Sequence, residues 1–279
     1  MSMEDISINK VDRLREILRS LESALICYSG GVDSTYLLKM ALVELGVKNA
    51  VGLLVKSAFY PARILSNARC VAEDMGVKIV ELDVDVMLIP GIRDNPPNRC
   101  YHCKREIYQA AFGQAKKLGL KHVIDGTIAD DLFEDRPGLK AAEELGIRKP
   151  LAEAELTKKE IRAESKKLGL PNWDSTSYTC LATRFPPGTG FDPDRLEKVA
   201  RCEEALRDER FKLFRARYHG DTVRIELDQS EFPRLFNKDR YKRVVGACKQ
   251  AGFKFVSLDL EGYRFGSMAE ASTDNDDKK

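Results

Sequence analysis

Apolar and polar positions alternate along the first half of the chain with two different periods. Short apolar runs predict strands at 23–28, 50–56, 78–83 and 122–125. Stretches with helical spacing predict helices at 10–20, 35–45, 61–76 and 103–118. Strands that are separated by helices are typical of a parallel sheet covered on both faces, so the pattern predicts a doubly wound α/β domain.

The pattern changes in the second half of the chain. The capping box Thr157-Lys158-Lys159-Glu160 predicts a helix that runs to about Leu168. From Pro171 to Pro193 neither period persists, and prolines and glycines predict a long loop and a domain boundary. The remaining pattern predicts a small α+β domain, with helices at 193–208 and 237–251, a hairpin of 214–218 and 222–227, and a strand at 254–258.

These elements predict three regions. The α/β domain takes residues 1–185, and the α+β domain takes residues 186–268. Residues 269–279 are polar and poor in apolar side chains, so we expect a disordered tail.

Composition limits the cellular compartment and the classes of binding partner that we expect for the protein. The 279 residues are 43% hydrophobic, which is enough for a substantial core, and the net charge of +2 does not indicate a nucleic-acid binder. No apolar run reaches the roughly 18 residues of a membrane span, and no signal-peptide core is apparent. We therefore expect a cytoplasmic protein without membrane contact, in which seven cysteines indicate metal or redox chemistry more than disulfides.

The first candidate site is Ser29-Gly30-Gly31-Val32-Asp33-Ser34, which lies between a predicted strand and a predicted helix. Glycines let the backbone approach phosphates, and the helix start favours negative charge. The loop has neither the lysine of GxxxxGK[ST] nor the spacing of GxGxxG. A carboxylate here suggests a Mg²⁺ ion that bridges Asp33 to the phosphates.

A second turn, Asp125-Gly126-Thr127, also follows a predicted strand, and the acidic run from Asp130 comes next. Ligands of parallel sheets bind at the carboxyl ends of the strands, so both turns belong to one predicted site. We expect the acidic run to position Mg²⁺ or a ribose. The predicted ATP and pyrophosphate ligands are Ser29, Gly30, Gly31, Asp33, Ser34, Gly126, Thr127 and Asp131.

Cysteines form the next candidate site. Cys100 and Cys103 have CxxC spacing, and Cys180 lies in the long loop. Three thiolates can hold a [4Fe–4S] cluster and leave one iron open for hydrosulfide, whereas Zn²⁺ held with His102 is the competing interpretation. We expect the other four cysteines to be packing residues: Cys27, Cys70, Cys202 and Cys248.

A basic cluster gathers in the second domain, consisting of Arg184, Arg215, Arg217, His219 and Arg224. Arg215 and Arg217 are two apart on a predicted strand and so share a face. Paired guanidinium groups suit phosphate or carboxylate ligands, and Glu203 and Glu226 could supply carboxylates nearby.

The glycine loop resembles the pyrophosphate loop of the ATP pyrophosphatases, the PP-loop superfamily, which cleave ATP between its α- and β-phosphates. Further segments resemble one branch, the LarE-type sulfur transferases that act in nickel-pincer nucleotide synthesis. The matching segments run from about residue 20 to 268: SGGVDS, RCYHCK, DGTxxDDxxxDRPG, NWxxxxxxCLATRFPPG, RARYHGDTVRIEL and LDLEGYRFGSM.

The resemblance implies adenylylation of a carboxylate on a pyridinium dicarboxylate mononucleotide, followed by its conversion to a thiocarboxylate. It implies that Arg184, Arg215 and Arg217 contact substrate phosphate and that Glu203 and Glu226 bind a divalent metal. Some family members sacrifice the sulfur of one cysteine at the position of Cys180. This chain also has Cys100 and Cys103, so it resembles the members that use a cluster. Trimers or hexamers are implied as well.

Three alternatives remain open. Cys180 could be a sacrificial sulfur donor. A tRNA thiolase also combines such a loop with CxxC and a third cysteine, but it would need a broad basic surface. The third alternative is a non-enzymatic ATP-binding module with structural zinc. For the sulfur transferase we expect a small nucleotide-like acceptor, and sulfide or a sulfur-donor protein as partner.

Overall fold

The computed structural model of the chain describes residues 3–133, 137–176, 178–264 and 267–268. It divides into two compact units, Met1–Asp85 with Asn98–Ser177, and Val86–Pro97 with Tyr178–Lys279. The predicted tail at 269–279 lies outside the described residues.

The division differs from the predicted boundary at residue 185 in two respects, because the second unit begins at Tyr178 and also includes the excursion 86–97, which apolar periodicity cannot reveal. The excursion 86–97 joins the second unit through its backbone, because Gly188 N donates to Asn95 O and Phe191 N donates to Arg93 O, both over 2.9 Å. The side chain of Asn95 also donates to Pro186 O over 2.7 Å. Contacts so distant in sequence leave no local signal.

The first unit alternates strands and helices as predicted. Its strands are β1 (Ala24–Tyr28), β2 (Ala50–Lys56), β3 (Ile79–Asp83) and β4 (His122–Ile124). Its helices are α1 (Met3–Leu21), α2 (Val32–Leu45), α3 (Ala62–Asp74), α4 (Arg99–Leu118), α5 (Pro137–Glu144), α6 (Pro150–Glu153) and α7 (Lys158–Lys167). The strands are all parallel in the order β3-β2-β1-β4, which confirms the doubly wound α/β fold of the PP-loop type.

Both faces of this sheet are buried, as side-chain alternation along a strand requires. Ala24, Ile26 and Tyr28 of β1 pack into a core with α1, α2, α3 and α7. Leu25 points the other way, into a second core with α4 and α5. Ile26 lies beside Ile124 and Tyr28 beside Leu54, so the loops that follow β1 and β4 meet at one edge of the sheet.

The second unit is a small α+β structure, as predicted. Its elements are α8 (Pro193–Asp208), β5 (Phe214–His219), β6 (Thr222–Leu227), α9 (Phe232–Phe236), α10 (Arg240–Gln250) and β7 (Phe255–Leu258). β5 and β6 form an antiparallel hairpin, and β7 adds in parallel to β6. Helix α10 begins later than the predicted residue 237, because Lys238 and Asp239 have positive φ angles.

No helix within the described ranges is long and apolar enough to cross a membrane.

Candidate active site

The glycine loop, residues 29–34, carries the chain from β1 into α2. Gly30 has a φ of +76°, and a Cβ placed there would lie 2.6 Å from the Cβ of Ala68, so the position requires glycine. Gly31 is the N-cap of α2, and no side chain caps this helix. The first amides of α2 and the positive end of its dipole therefore face the loop, an arrangement suited to phosphate.

Hydroxyl groups hold the loop in shape. The Oγ of Ser34 donates to Gly31 O over 3.1 Å and accepts from Ser29 N over 3.2 Å. The two serine Oγ atoms are 3.0 Å apart. The loop is thus held in shape by its own groups, and the assignment of these serines as ATP ligands stays a prediction.

The turn after β4 lies directly against the glycine loop. A Cβ at Gly126 would come within 3.1 Å of the backbone N and Cα of Ser34, so the two turns are in close contact. Asp125 is buried, and its Oδ1 accepts from Thr127 N over 3.0 Å. The structure therefore brings together the two predicted parts of the site.

Asp33 forms an ion pair that the sequence did not predict. Its Oδ2 lies 2.5 Å from Lys158 Nζ, at the start of α7. Its Oδ1 is buried and has no hydrogen-bond partner among the described residues. Burial raises the pKa of the Asp33 carboxyl, while Lys158 opposes the rise. A carboxylate with one unsatisfied oxygen beside a phosphate-binding helix start fits a Mg²⁺ ligand.

Two aspartates of the acidic run stabilise the backbone around this pair. Asp130 Oδ2 accepts from Lys158 N over 2.6 Å, and Asp131 Oδ2 accepts from Ile128 N over 3.1 Å. Both carboxylates thus accept hydrogen bonds from backbone amides at the same edge of the sheet. The rest of the predicted acidic run, residues 134–136, lies outside the described residues.

The CxxC pair lies inside α4, because the helix begins at Arg99 and not at the predicted residue 103. Cys100 and Cys103 are therefore three apart on one helical face, a spacing at which neighbouring side chains meet. Both thiols are half-buried. This geometry suits two ligands of one metal or cluster.

A buried polar chain connects α4 to the turn after β4. Lys104 Nζ donates to Tyr108 OH over 3.2 Å, and Tyr108 OH donates to Asp125 Oδ2 over 2.5 Å. Tyr108 and Asp125 hold the pKa of the Lys104 ammonium well above its usual value despite burial. These buried hydrogen bonds thus hold the positive charge of Lys104 against Tyr108 and close to Asp125.

Of the other four cysteines, one is exposed and three are half-buried or buried. Burial raises the pKa of the Cys27 thiol to about 12, so this thiol is unreactive. Cys202 and Cys248 are fully buried and hydrogen-bonded to each other, and Cys70 is exposed. The prediction of packing residues holds for the buried Cys202 and Cys248 and for the half-buried Cys27, and it is wrong for the exposed Cys70.

Cys180 belongs to the second unit, whereas Cys100 and Cys103 belong to the first. It is half-buried and precedes a 3₁₀ turn, Leu181–Arg184, and its carbonyl accepts from Thr183 N over 3.1 Å. Across the described residues, no three cysteine, histidine or acidic side chains form a group that could hold a metal ion. The shared three-cysteine site therefore stays a prediction.

Arg184, Arg215 and Arg217 of the basic cluster are buried and largely paired internally, whereas Arg224 is half-buried and His219 is exposed. Arg184, fully buried, forms a bidentate pair with Glu203, with Nε–Oε1 at 2.7 Å and Nη2–Oε2 at 3.1 Å. Arg217 donates from Nε and Nη2 to the single oxygen Oε2 of Glu226, and Oε1 of Glu226 accepts from Arg224 Nη2. These are charge-assisted bonds that fix the side chains.

The carboxylates of this cluster have no uncommitted oxygen. Glu203 Oε1 accepts from Ala216 N in addition to Arg184, and Glu226 Oε1 accepts from Ser267 Oγ in addition to Arg224. A divalent metal at Glu203 or Glu226 would have to share these oxygens with the arginines. The metal-binding role of the two glutamates stays a prediction.

Arg215 differs from its neighbours electrostatically. It lies opposite Glu226 in the register of β5 and β6 and over the ring of Tyr263, 5.0 Å from its centroid. Burial and the nearby Arg184 lower the pKa of the Arg215 guanidinium. An anion bound near Arg215 would relieve both effects, which fits the predicted contact with a phosphate or carboxylate.

Sequence analysis missed three residues that the structure places at the glycine loop or beside the CxxC pair. Lys158 pairs with Asp33, Tyr108 contacts Asp125, and Asn172 donates to Gly30 O. Only Lys158 had a local signal, since the capping box placed it at a helix start. Its distance from Asp33 follows from the packing of α7 beside α2, which no short motif encodes.

Similarity to known proteins extends along nearly the whole chain. A protein of Lactiplantibacillus plantarum named pyridinium-3,5-bisthiocarboxylic acid mononucleotide synthase is 35% identical over 92% of this chain and 92% of its own length. Uncharacterized proteins of Synechocystis sp. and Methanocaldococcus jannaschii are 38% and 31% identical, over 95% and 93% of this chain and 98% and 99% of their own lengths. No protein-family model matches the chain.

The protein from Lactiplantibacillus plantarum is similar to this chain over nearly the whole length of both, and its name agrees with the motifs described above. The glycine loop, the parallel sheet and the second unit provide the structural parts of such an enzyme. The chain belongs to the LarE-type family of ATP-utilising sulfur transferases.

Proposed function

We propose that the protein adenylylates a carboxylate of a pyridinium dicarboxylate mononucleotide and converts it to a thiocarboxylate for nickel-pincer nucleotide synthesis. The observation that carries this proposal is the glycine loop, where an uncapped helix start lies beside Asp33, whose Oδ1 is buried and unsatisfied. Family membership supplies the substrate class, because the named relative is a pyridinium-3,5-bisthiocarboxylic acid mononucleotide synthase.

The chemistry needs ATP because a carboxylate does not react with sulfide at neutral pH. A carboxylate oxygen of the acceptor attacks the α-phosphorus of ATP, and the bond to the β-phosphate oxygen breaks to release pyrophosphate. A sulfur nucleophile then attacks the acyl carbon and expels AMP. The amides of α2 bind the departing phosphates, and Asp33 would hold Mg²⁺, which supplies charge neutralisation there.

We propose that sulfur is delivered from a [4Fe–4S] cluster held by Cys100, Cys103 and Cys180. Support comes from the shared helical face of Cys100 and Cys103 and from the half-buried state of all three thiols. Sulfide or a sulfur-donor protein would renew the transferred atom.

Substrate recognition is assigned to the second unit. Arg184, Arg215 and Arg217 would contact the phosphate of the acceptor, and the low pKa of Arg215 favours an anion in its vicinity. We further propose a cytoplasmic homo-oligomer, a trimer or a hexamer as implied by the family resemblance.

The test is an anaerobic assay of purified protein with ATP, Mg²⁺ and pyridinium-3,5-dicarboxylate mononucleotide. We expect pyrophosphate release that depends on the acceptor, and an acceptor in which sulfur replaces oxygen. Ser in place of Cys100, Cys103 or Cys180 should abolish both iron binding and sulfur transfer, whereas Cys70→Ser should change neither.

Other outcomes would identify the alternatives. Transfer by iron-free protein, with loss of H₂S from Cys180, would establish the sacrificial route. Stoichiometric zinc without pyrophosphate release would indicate an ATP-binding module, and acceptor-independent thiolation of tRNA would indicate a tRNA thiolase.

A further inference from the structure

Asn172 makes a long-range contact with the glycine loop that no motif predicts. Its side-chain Nδ2 donates to Gly30 O over 2.8 Å and to Thr35 Oγ1 over 2.9 Å. One amide thus ties the turn of the loop to the first turn of α2. Asn172 is 9% exposed and lies 142 residues along the chain from Gly30.

The orientation of this amide is determined by its partners. A carbonyl oxygen can only accept, so the NH₂ group of Asn172 must point at Gly30. Its Oδ1 is consequently buried with no hydrogen-bond partner among the described residues. A buried polar atom without a hydrogen bond lowers the stability of the folded protein. Such an atom is retained where the same side chain has another function.

The backbone of the loop indicates what the function of the Asn172 side chain is. Gly30 has a φ of +76° and is followed by Gly31, so no Cβ on either residue resists rotation of the peptide between them. A flip of that peptide would exchange the directions of its carbonyl and its amide. The carbonyl would then repel the phosphates that the amide should bind. The hydrogen bond from Asn172 opposes this flip.

We infer that Asn172 is a positioning residue of the ATP site, which holds the Gly30–Gly31 peptide in the orientation that accepts phosphate. The inference rests on the proposed function, since it assigns the glycine loop to ATP.

The test is the affinity for Mg·ATP, measured by calorimetry without acceptor at pH 5.5 and pH 8, for the wild type and three variants. Asn172→Ala removes the donor, and we expect about tenfold weaker binding at both pH values. Asn172→Asp retains a donor only when its carboxyl is protonated. Burial against Gly30 O should raise the pKa of this carboxyl above the ordinary value of about 3.9, so we expect its affinity relative to the wild type to be closer to one at the lower pH and about tenfold weaker at the higher.

Asn49→Asp is the matched control, because Asn49 is exposed and its side-chain amide donates to Leu45 O at the end of α2. It introduces the same charge in the same unit and should leave affinity unchanged. Tyr28, Asp33, Lys158, Arg162 and Lys166 are the titratable groups around the Asn172 segment. They are common to all variants, so each affinity is expressed relative to the wild type at the same pH.

The outcomes separate the two proposals. If the wild type fails to bind Mg·ATP, the proposed function and this inference are both overturned. If the wild type binds but Asn172→Ala matches it, or Asn172→Asp shows the same ratio at both pH values, only the role of Asn172 is overturned. A variant that merely unfolds would not recover at low pH.

Discussion

The glycine loop and the arginine cluster are both polar, but they differ in whether their buried oxygens are hydrogen-bonded. At the glycine loop, α2 has no side-chain cap, and Asp33 and Asn172 each bury an oxygen that has no hydrogen-bond partner in the described part of the chain. In the arginine cluster, both oxygens of Glu203 and of Glu226 accept hydrogen bonds. The loop is prepared for a ligand at a cost in stability, whereas the cluster contributes to the stability of its own unit.

The largest effect should come from breaking a pair in the cluster. Glu203→Ala leaves the fully buried Arg184 without its counterion, so the free energy of unfolding should fall by about 3–5 kcal/mol. Urea denaturation followed by circular dichroism measures the loss. Glu197→Ala on the same helix, which removes an exposed pair with Arg201, should cost below about 0.5 kcal/mol. Equal losses of unfolding free energy in Glu203→Ala and Glu197→Ala would contradict the structural role of the buried pair.

The next effect is on chemistry at the loop. Asp33→Ala removes the proposed Mg²⁺ ligand, so acceptor-dependent pyrophosphate release should fall by about 100- to 1000-fold at saturating substrates. Acceptor affinity should stay within about twofold of the wild type, because the arginines that we propose as acceptor ligands are unchanged. Asp12→Ala, an exposed change on α1, is the control. Turnover like that of the wild type in Asp33→Ala would remove the loop from the mechanism.

A smaller effect is expected on acceptor binding. Arg215→Ala should weaken binding of the mononucleotide acceptor by about 1.5–3 kcal/mol, the range for hydrogen bonds that involve charge. ATP affinity, measured by calorimetry on the same variant, should be unchanged. The reverse result, with ATP binding lost and acceptor binding intact, would show that the roles of the two regions are exchanged.

The smallest effect distinguishes a prepared site from a structural one. Since burial raises the pKa of Asp33 in the folded protein, its ionised form costs stability above that pKa, and the cost disappears as the pH falls below the unfolded value. Asp33→Asn should therefore raise Tm at pH 7 by about 1–3 °C and leave it unchanged at low pH. A drop in Tm at pH 7 would mean that the pair with Lys158 outweighs the burial of the carboxylate.

Local patterns predicted the framework but not the polar connections across it. The four strands and the long helices of the first unit follow from periodicity, and the strand–loop–helix order located the glycine loop. The excursion 86–97 and the contacts of Lys158 and Asn172 depend on residues more than 80 positions apart. The pairing of Arg184 with Glu203 was also invisible, because charge in a sequence shows neither burial nor partner.

Sulfur transfer driven by carboxylate adenylylation is the central claim, and an oxygen-isotope measurement tests it most directly. The acceptor is supplied with ¹⁸O in its carboxylates, and AMP from an anaerobic turnover is analysed by mass spectrometry. The account predicts one ¹⁸O atom in the phosphate of each AMP formed, together with one thiocarboxylate. Unlabelled AMP alongside thiocarboxylate would contradict it, because the carboxylate oxygen would then have left by another route.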